Sequence, residues 1–398
     1  MPLLKTSLKQ AGHKRPACVL PKPAVVSEIN ALASDWKKRL GVWPCKKTSE
    51  VITLASDCCG YGSELLALRL LGLHARVRLV MISEKSPSKL ALHKKMAELC
   101  GLDDSQCKNY PDIFERDNRE APRADLYVAG FPCPSFSRLG KGRGIADQRG
   151  MATLFGLLYL AAKRPRVALL EQVAALLDKT HSQVWTFIQK ILKLLDYAVI
   201  FKIVNTRSYG IPQSRPRLYV LCVAKESLVS PLAMPAGRTQ EADLHTFLQK
   251  GLRGTEKLDL PTYEAKLGRS LWQYGFVLDI QASPRFQHIL RNCAPCLTRT
   301  RCKQSGYYIP KLLRRLSPVE MAKLQGLPLA VANPLLATAK DLAAGSFEEA
   351  VGDAMSINVL QTLLGRVCTS AGLAHVPAQK EYWLLCPAEK LHQLSDQL

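Results

Sequence analysis

Acidic residues are scarce in this chain: 33 Asp and Glu stand against 55 Lys and Arg over 398 residues. The net charge of +22 and the pI near 9.6 argue against a cationic partner and for a polyanion, with nucleic acid first. A solvated basic surface is the plainer alternative. No acid precedes Glu28, while Lys5, Lys9, Lys14, Arg15 and Lys22 do. That stretch also lacks the apolar core of a signal peptide, so it reads as a basic arm or a targeting peptide. No run reaches the roughly 18 uninterrupted apolar residues of a membrane span. The 13 cysteines are odd in number and have no repeating spacing. This argues against a disulfide framework and for reduced thiols inside a cell. The expected compartment is the nucleus in a eukaryote and the cytoplasm or nucleoid otherwise, with organelle targeting left open. Internal repeats and low-complexity tracts are missing too.

What is present is enough apolar residue, 47%, to bury a sizeable core. Residues 1–47 read as a flexible basic arm with little periodicity. Strand and helix patterns then alternate. Val51–Ala55, Arg76–Ser83, Ala124–Ala129, Val167–Leu170, Ala198–Val204 and Leu218–Ala224 read as strands. Ser63–Leu71, Ser88–Leu99, Met151–Ala162 and His181–Leu195 have helical spacing. Such alternation predicts an α/β fold with a parallel, doubly wound sheet. The pattern changes after Ala224, so 48–224 is expected to form one domain and 225–309 a second. Helical signals return over 310–372, and 373–398 is left as a tail.

Chemistry-bearing residues stand at the predicted strand ends. Gly130-Phe131-Pro132-Cys133 closes one strand and opens a polar, basic, glycine-rich stretch. Open α/β sheets place their chemistry at the carboxyl ends of strands, and nearby cations favour the reactive thiolate. A lone cysteine is otherwise a buried structural residue. Gly60-Tyr61-Gly62 sits in a strand-to-helix turn that can approach a ligand. Glu84 ends the next strand, where an acid can bind ribose hydroxyls. Asp112-Ile113 reads either as an adenine contact or as a turn. Glu171, at a strand end, is a proton donor if desolvated, or simply a surface acid. Arg215 and Arg217, at i and i+2 beside a strand, point to one side and suit a carboxylate, a phosphate or a carbonyl oxygen; a solvated turn is the alternative. Cys293, Cys296 and Cys302 invite a zinc reading, but no fourth ligand has a standard spacing, so no metal is expected.

Taken in order, these residues form a pattern. The chain resembles the cytosine-C5 DNA methyltransferase family. Gly-Phe-Pro-Cys at 130–133 is followed by Phe136-Ser137, Gly140-Lys141, Asp147-Gln148-Arg149-Gly150 and Leu154-Phe155. Glu171-Gln172-Val173 stands for the family's Glu-Asn-Val. Asn205 and Tyr209–Arg217 match its eighth motif, Arg315–Glu320 with Leu324–Pro328 its ninth, and Val351–Leu360 its tenth.

The resemblance implies a Rossmann-like, class I S-adenosylmethionine-dependent methyltransferase fold with a small target-recognition domain. It implies Cys133 as the nucleophile on cytosine C6, Glu171 as the acid at N3, and Arg215 and Arg217 as residues that order the base. Ser56, Cys58, Gly60, Tyr61, Gly62, Glu84, Lys85, Asp112, Ile113, Pro132, Asp353, Ala354 and Met355 would hold S-adenosylmethionine. Ser137, Lys141, Arg143 and Arg299 would meet nucleic acid, expected to be duplex DNA with a flipped cytosine, and the protein is expected to be a monomer. A transfer-RNA cytosine methyltransferase of the same fold, or a catalytically silent homologue, is the alternative. There are departures. The family's first-motif aspartate falls on Ser56, with Asp57 displaced by one, and its phenylalanine falls on Cys58. Pro134 stands where glutamine is common, and Gln172 and Asp353 replace asparagines.

Overall fold

The computed structural model describes residues 23–39, 51–132, 148–238, 241–283 and 289–376. Helix α1 (Pro23–Arg39) comes first. Then follow β1 (Ile52–Asp57), α2 (Ser63–Leu70), β2 (Val77–Ser83), α3 (Pro87–Cys100), β3 (Lys108–Tyr110) and β4 (Leu126–Gly130). Next are α4 (Gln148–Lys163), β5 (Val167–Val173), α5 (Ser182–Leu194), β6 (Tyr197–Asn205) and β7 (Pro216–Ala224). The seven strands form one sheet in the order β3-β2-β1-β4-β5-β7-β6.

All neighbours in this sheet are parallel except at β7, which runs antiparallel to both β5 and β6. The sequence pattern predicts a parallel sheet, from which β7 alone departs. The link Thr206–Arg215 explains the difference. A parallel return needs a crossover of about a dozen residues or more, and this link is too short, so β7 turns straight back. The reversal brings the start of β7 to the carboxyl end of β5, with Arg217 opposite Val173.

Side chains alternate across the strands and feed a core on each face. Leu54, Val128, Leu169 and Leu221 pack with Leu65 and Leu66 of α2 and Leu92 and Met96 of α3. Ala55, Tyr127, Ala168 and Cys222 pack on the other face with α4 and α5. Helix α1 joins that second layer, with Ile29 and Ala33 fully buried. For the described residues 23–39, this corrects the reading of 1–47 as a flexible arm with little periodicity. Ile29, Leu32 and Ala33 have the i, i+3, i+4 spacing of a helix face, set within a basic, proline-containing stretch.

A smaller unit follows β7. It holds α6 (Leu244–Phe247), α7 (Pro261–Leu267), α8 (Ser270–Gln273), β8 (Leu278–Asp279), α9 (Arg299–Lys303), β9 (Tyr307–Ile309) and β10 (Arg314–Arg315). Its three-stranded sheet is antiparallel, and Leu260, Tyr263, Leu271, Phe276, Leu278 and Tyr308 form a core of their own. The chain then returns through α10 (Pro318–Leu324), α11 (Leu329–Ala339), α12 (Ser346–Asp353) and α13 (Ile357–Ser370). Helix α13 packs on α2 and so joins the first face of the large sheet. No helix among the described residues is long and apolar enough to cross a membrane.

At the end of β1 the displaced aspartate has a structural role. Asp57 and Arg116 are both wholly buried. Arg116 donates to both Asp57 oxygens, with Nη2 to Oδ2 at 2.8 Å. The Tyr127 hydroxyl donates to Oδ2 at 2.7 Å, and Arg116 Nε donates to Asn118 Oδ1 at 2.9 Å. Ser56 lies on the opposite face and donates to Glu64 Oε1 at 2.6 Å. Leaving one partner of a buried ion pair uncompensated costs about 3–5 kcal/mol. Arg116→Met is therefore expected to lower the unfolding free energy in urea by about that much. Adding Asp57→Asn should recover part of the loss. If the single and double variants lose the same amount, the pair does not hold the β1 end as described.

Candidate active site

Among the described residues, the acid, the arginines and the cofactor turn singled out in the sequence gather at the carboxyl edge of the large sheet, where β1, β2, β4 and β5 end and β7 begins. The first part is the turn from β1 to α2. Cys58, Gly60 and Gly62 all take left-handed backbone, with φ of 54°, 57° and 86°. This is easy for glycine and uncommon for other residues. A Cβ built on Gly60 would meet nothing within 4 Å, whereas one on Gly62 would stand 3.0 Å from both His93 and Leu65. The turn is therefore open at Gly60 and closely packed at Gly62. Tyr61 beside them is buried.

Glu84 leaves the end of β2 and accepts from Gly60 N–H at 3.0 Å and Ser86 N–H at 2.8 Å. Asp112 accepts from Phe114 N–H at 3.0 Å and pairs with the exposed Lys85 at 2.7 Å, while Ile113 is buried. Half-buried Pro132 follows the end of β4, where Met355 packs on Gly130: a Cβ there would meet the Met355 side chain at 3.4 Å. Asp353 forms an ion pair with Lys89 of α3 and lies 3.9 Å from Arg299. An open glycine turn, an acid at its mouth, and an acid beside a buried isoleucine fit the nucleoside-bearing cofactor that the resemblance implies.

Under this turn lies a group that the sequence reading missed. Glu64 is wholly buried, 4.0 Å from His93 Nε2. Burial pushes the Glu64 carboxyl up to about 7, against the hydrogen bond from Ser56, and pushes the His93 imidazole down to about 4. Burial therefore keeps His93 neutral near pH 7.

The second part is the acid. Glu171 sits in β5 directly opposite Gly130 of β4 and is 4% exposed. Arg217 Nε lies 3.1 Å from Glu171 Oε1. Burial raises the Glu171 carboxyl above the usual carboxylate range; Arg217 and Arg215 oppose this and Asp353 adds to it. A buried acid that holds its proton to higher pH than an exposed carboxyl can serve as a proton donor.

The two arginines divide their tasks. Arg217 faces the acid. Arg215 is 3% exposed and donates to main-chain carbonyls, at 2.6 Å to Leu297, 3.2 Å to Gly352 and 2.7 Å to Ala354. It joins the smaller unit and the returning chain to the large sheet. Gln213 does similar work: it donates to Leu324 O at 2.6 Å and accepts from Leu297 N–H at 3.1 Å.

Among the residues expected at nucleic acid, Arg299 donates twice to Glu349, at 2.8 and 3.2 Å, with its side chain half exposed. Cys133, Ser137, Lys141 and Arg143 lie outside the described residues. Cys293, Cys296 and Cys302 do not converge. Cys293 turns to Ala294 O, Cys302 is buried in α9, and Cys296 faces Arg215 and Arg217. Among the described residues, no group of three or more His, Cys, Asp or Glu is placed to hold a metal.

Comparisons with known proteins bear on the family and the fold. Residues 58–258 match the family profile described as C-5 cytosine-specific DNA methylase. The chain is 30% identical to the Type II methyltransferase M.NgoBI of Neisseria gonorrhoeae, over 56% of this chain and 69% of the relative. It is 28% identical to M.HaeII of Haemophilus aegyptius, over 67% and 81%. Its fold is like that of the Entamoeba histolytica methyltransferase EhMeth, with a TM-score of 0.57 at 16% identity, covering 81% of this chain and 99% of that one. The S. pombe Dnmt2 methyltransferase gives a TM-score of 0.52 at 16% identity, covering 80% and 98%. With the acid, the arginines and the glycine turn at one sheet edge, and with these matches along the chain, the protein belongs to the C-5 cytosine-specific DNA methylase family.

Proposed function

We propose that this protein methylates C5 of cytosine in duplex DNA, with Cys133 as nucleophile, Glu171 as acid and Arg217 as the cation that orders them. The observation that carries the reading is the pairing of buried Glu171 with Arg217, opposite the end of the strand that runs into Gly-Phe-Pro-Cys.

Cytosine C5 is too electron-poor to take a methyl group unaided, so covalent activation is required. The Cys133 thiolate forms a bond to C6. The C5–C6 π pair moves toward C5 while Glu171 donates its proton, or a hydrogen bond, to N3. Bound S-adenosylmethionine supplies the electrophilic methyl group. Loss of the C5 proton to a base then returns the electron pair, the S–C6 bond breaks, N3 gives any proton it took back to Glu171, and 5-methylcytosine leaves. Glu171 suits its role because burial keeps a proton on it to higher pH than on an exposed carboxyl. The target base must leave the duplex stack, at a cost of a few kcal/mol, and the +22 net charge favours the phosphate contacts that offset this.

Gly60, Glu84, Asp112 and Ile113 would hold the cofactor's polar and adenine ends, and Pro132 and Met355 would line the side nearest the target base. Cys58, where the family has phenylalanine, offers less apolar surface to that ligand.

Cys133→Ser is expected to abolish transfer of labelled methyl groups to duplex DNA. Glu171→Gln should lower kcat by about 10²–10⁴-fold. If transfer RNA is labelled and DNA is not, the substrate assignment fails. Because Glu171 must be protonated, kcat should fall as pH rises through its raised pKa. Arg217→Gln removes a cation that favours the carboxylate, so this alkaline limb should move to higher pH; a move to lower pH contradicts the pairing. For the cofactor, Glu84→Gln is expected to weaken S-adenosylhomocysteine about tenfold by calorimetry, equivalent to about 1.4 kcal/mol. Unchanged affinity would remove Glu84 from the site.

A further inference from the structure

Cys296 lies between the two arginines of the pocket and, among the described residues, belongs to no group placed to hold a metal. Its sulfur is 3.5 Å from Arg217 Nη2 and 3.7 Å from Arg215 Nη1. The same Arg217 reaches Glu171 through Nε at 3.1 Å. The position of the sulfur is fixed by its backbone. Cys296 O accepts from the Tyr307 hydroxyl at 2.9 Å, Leu297 N–H donates to Gln213 Oε1 at 3.1 Å, and Leu297 O accepts from Arg215 at 2.6 Å.

We propose that Cys296 is a positioning residue of the catalytic pocket: its sulfur and the Glu171 carboxylate share one guanidinium, that of Arg217. Burial favours the neutral thiol, but Arg217 and Arg215 together outweigh it and hold Cys296 below the usual thiol range. The other titratable groups around the pair are Asp353 at the end of α12, Tyr219 in β7, Cys302 in α9 and Tyr307 in β9. Burial keeps the two tyrosines and Cys302 protonated. This leaves Asp353 as the remaining acid beside Glu171.

The sharing has a direction. A thiolate at 296 takes part of the positive field of Arg217. Glu171 is then held less firmly as the carboxylate and keeps its proton to higher pH. The coupling is reciprocal: an ionised Glu171 makes the Cys296 thiolate less favourable. This consequence for catalysis rests on the reading of Glu171 as the acid.

The sharing itself is tested without turnover. The rate at which iodoacetamide alkylates Cys296 is followed against pH by peptide mass spectrometry, in the full chain. The thiolate carbon–sulfur bond forms as iodide leaves, so the rate reports the thiolate fraction. In the wild type the midpoint should lie below the roughly 8.5 of a free cysteine. Glu171→Gln removes the carboxylate that competes with the sulfur for Arg217 and should lower the midpoint further, by about one pH unit, while Arg217→Met should raise it by at least as much. Midpoints that stay in place in both variants overturn the proposal. The catalytic consequence is read separately, from kcat against pH on duplex DNA. Cys296→Ser should move the alkaline limb to lower pH, and Cys296→Asp, which restores the negative charge, should move it back up. A limb that Cys296→Ser and Cys296→Asp both leave unmoved overturns the positioning role. A limb that persists in Glu171→Gln instead overturns the acid assignment, and the alkylation midpoints then still decide whether the guanidinium is shared.

Discussion

The pocket depends on one buried cation, Arg215. Its guanidinium binds the main chain of the segment leading into α9, at Leu297, and of the segment leaving α12, at Gly352 and Ala354. The reason is general. The last carbonyls of a helix have no partner within it and carry partial negative charge. Gly352 and Ala354 are such carbonyls at the end of α12, and a buried arginine with its fork of donors satisfies them. The same seam uses other fully buried polar side chains. Gln325 donates to Val351 O at 2.8 Å, and Asn358 donates to Tyr209 O at 2.9 Å. The hydroxyls of Thr206 and Ser356 stand 2.8 Å apart. Each buried polar group has to find a partner, and here the partners lie on chain segments far apart in sequence.

This seam determines what Arg217 can do. Arg215 and Arg217 are two residues apart across the start of β7, and the antiparallel run of β7 places both beside the end of β5. Once Arg215 is committed to carbonyls, Arg217 is left to face Glu171 and the sulfur of Cys296. The acid thus gains a cation without being released into water. Burial raises its pKa and the cation limits the rise. A proton donor needs that balance, since a carboxyl held wholly ionised cannot donate and one held wholly neutral cannot be recycled.

Much of this was legible in the sequence. Short apolar runs alternating with helical spacing identified the core strands and the helices α2 to α5, because both periods are strong where elements are buried. The order of the acid, the arginines and the glycine turn located the sheet edge. Other features were hidden for physical reasons. The direction of β7 depends on the length of the Thr206–Arg215 link, which periodicity does not register. Arg215 and Arg217 look alike in sequence, and only the arriving carbonyls of Leu297, Gly352 and Ala354 separate a clamp from a pocket cation. Asp57 stands one position beyond Ser56, where the family's first-motif aspartate falls. In a strand, one position means the opposite face, and Asp57 therefore meets Arg116 and not a ligand. Cys296 read as part of a loose cysteine group, whereas its surroundings are two guanidinia brought from β7.

The central claim is that Cys133, Glu171 and Arg217 act on one cytosine ring. The most direct measurement is to trap the adduct on duplex DNA carrying 5-fluorocytosine, where the fluorine at C5 blocks the final elimination. The trapped peptide is then sequenced by mass spectrometry. The account predicts a single methylated adduct attached through the sulfur of Cys133, formed far more slowly in the Glu171→Gln protein. Attachment through another cysteine, or an adduct whose rate ignores Glu171, would contradict it.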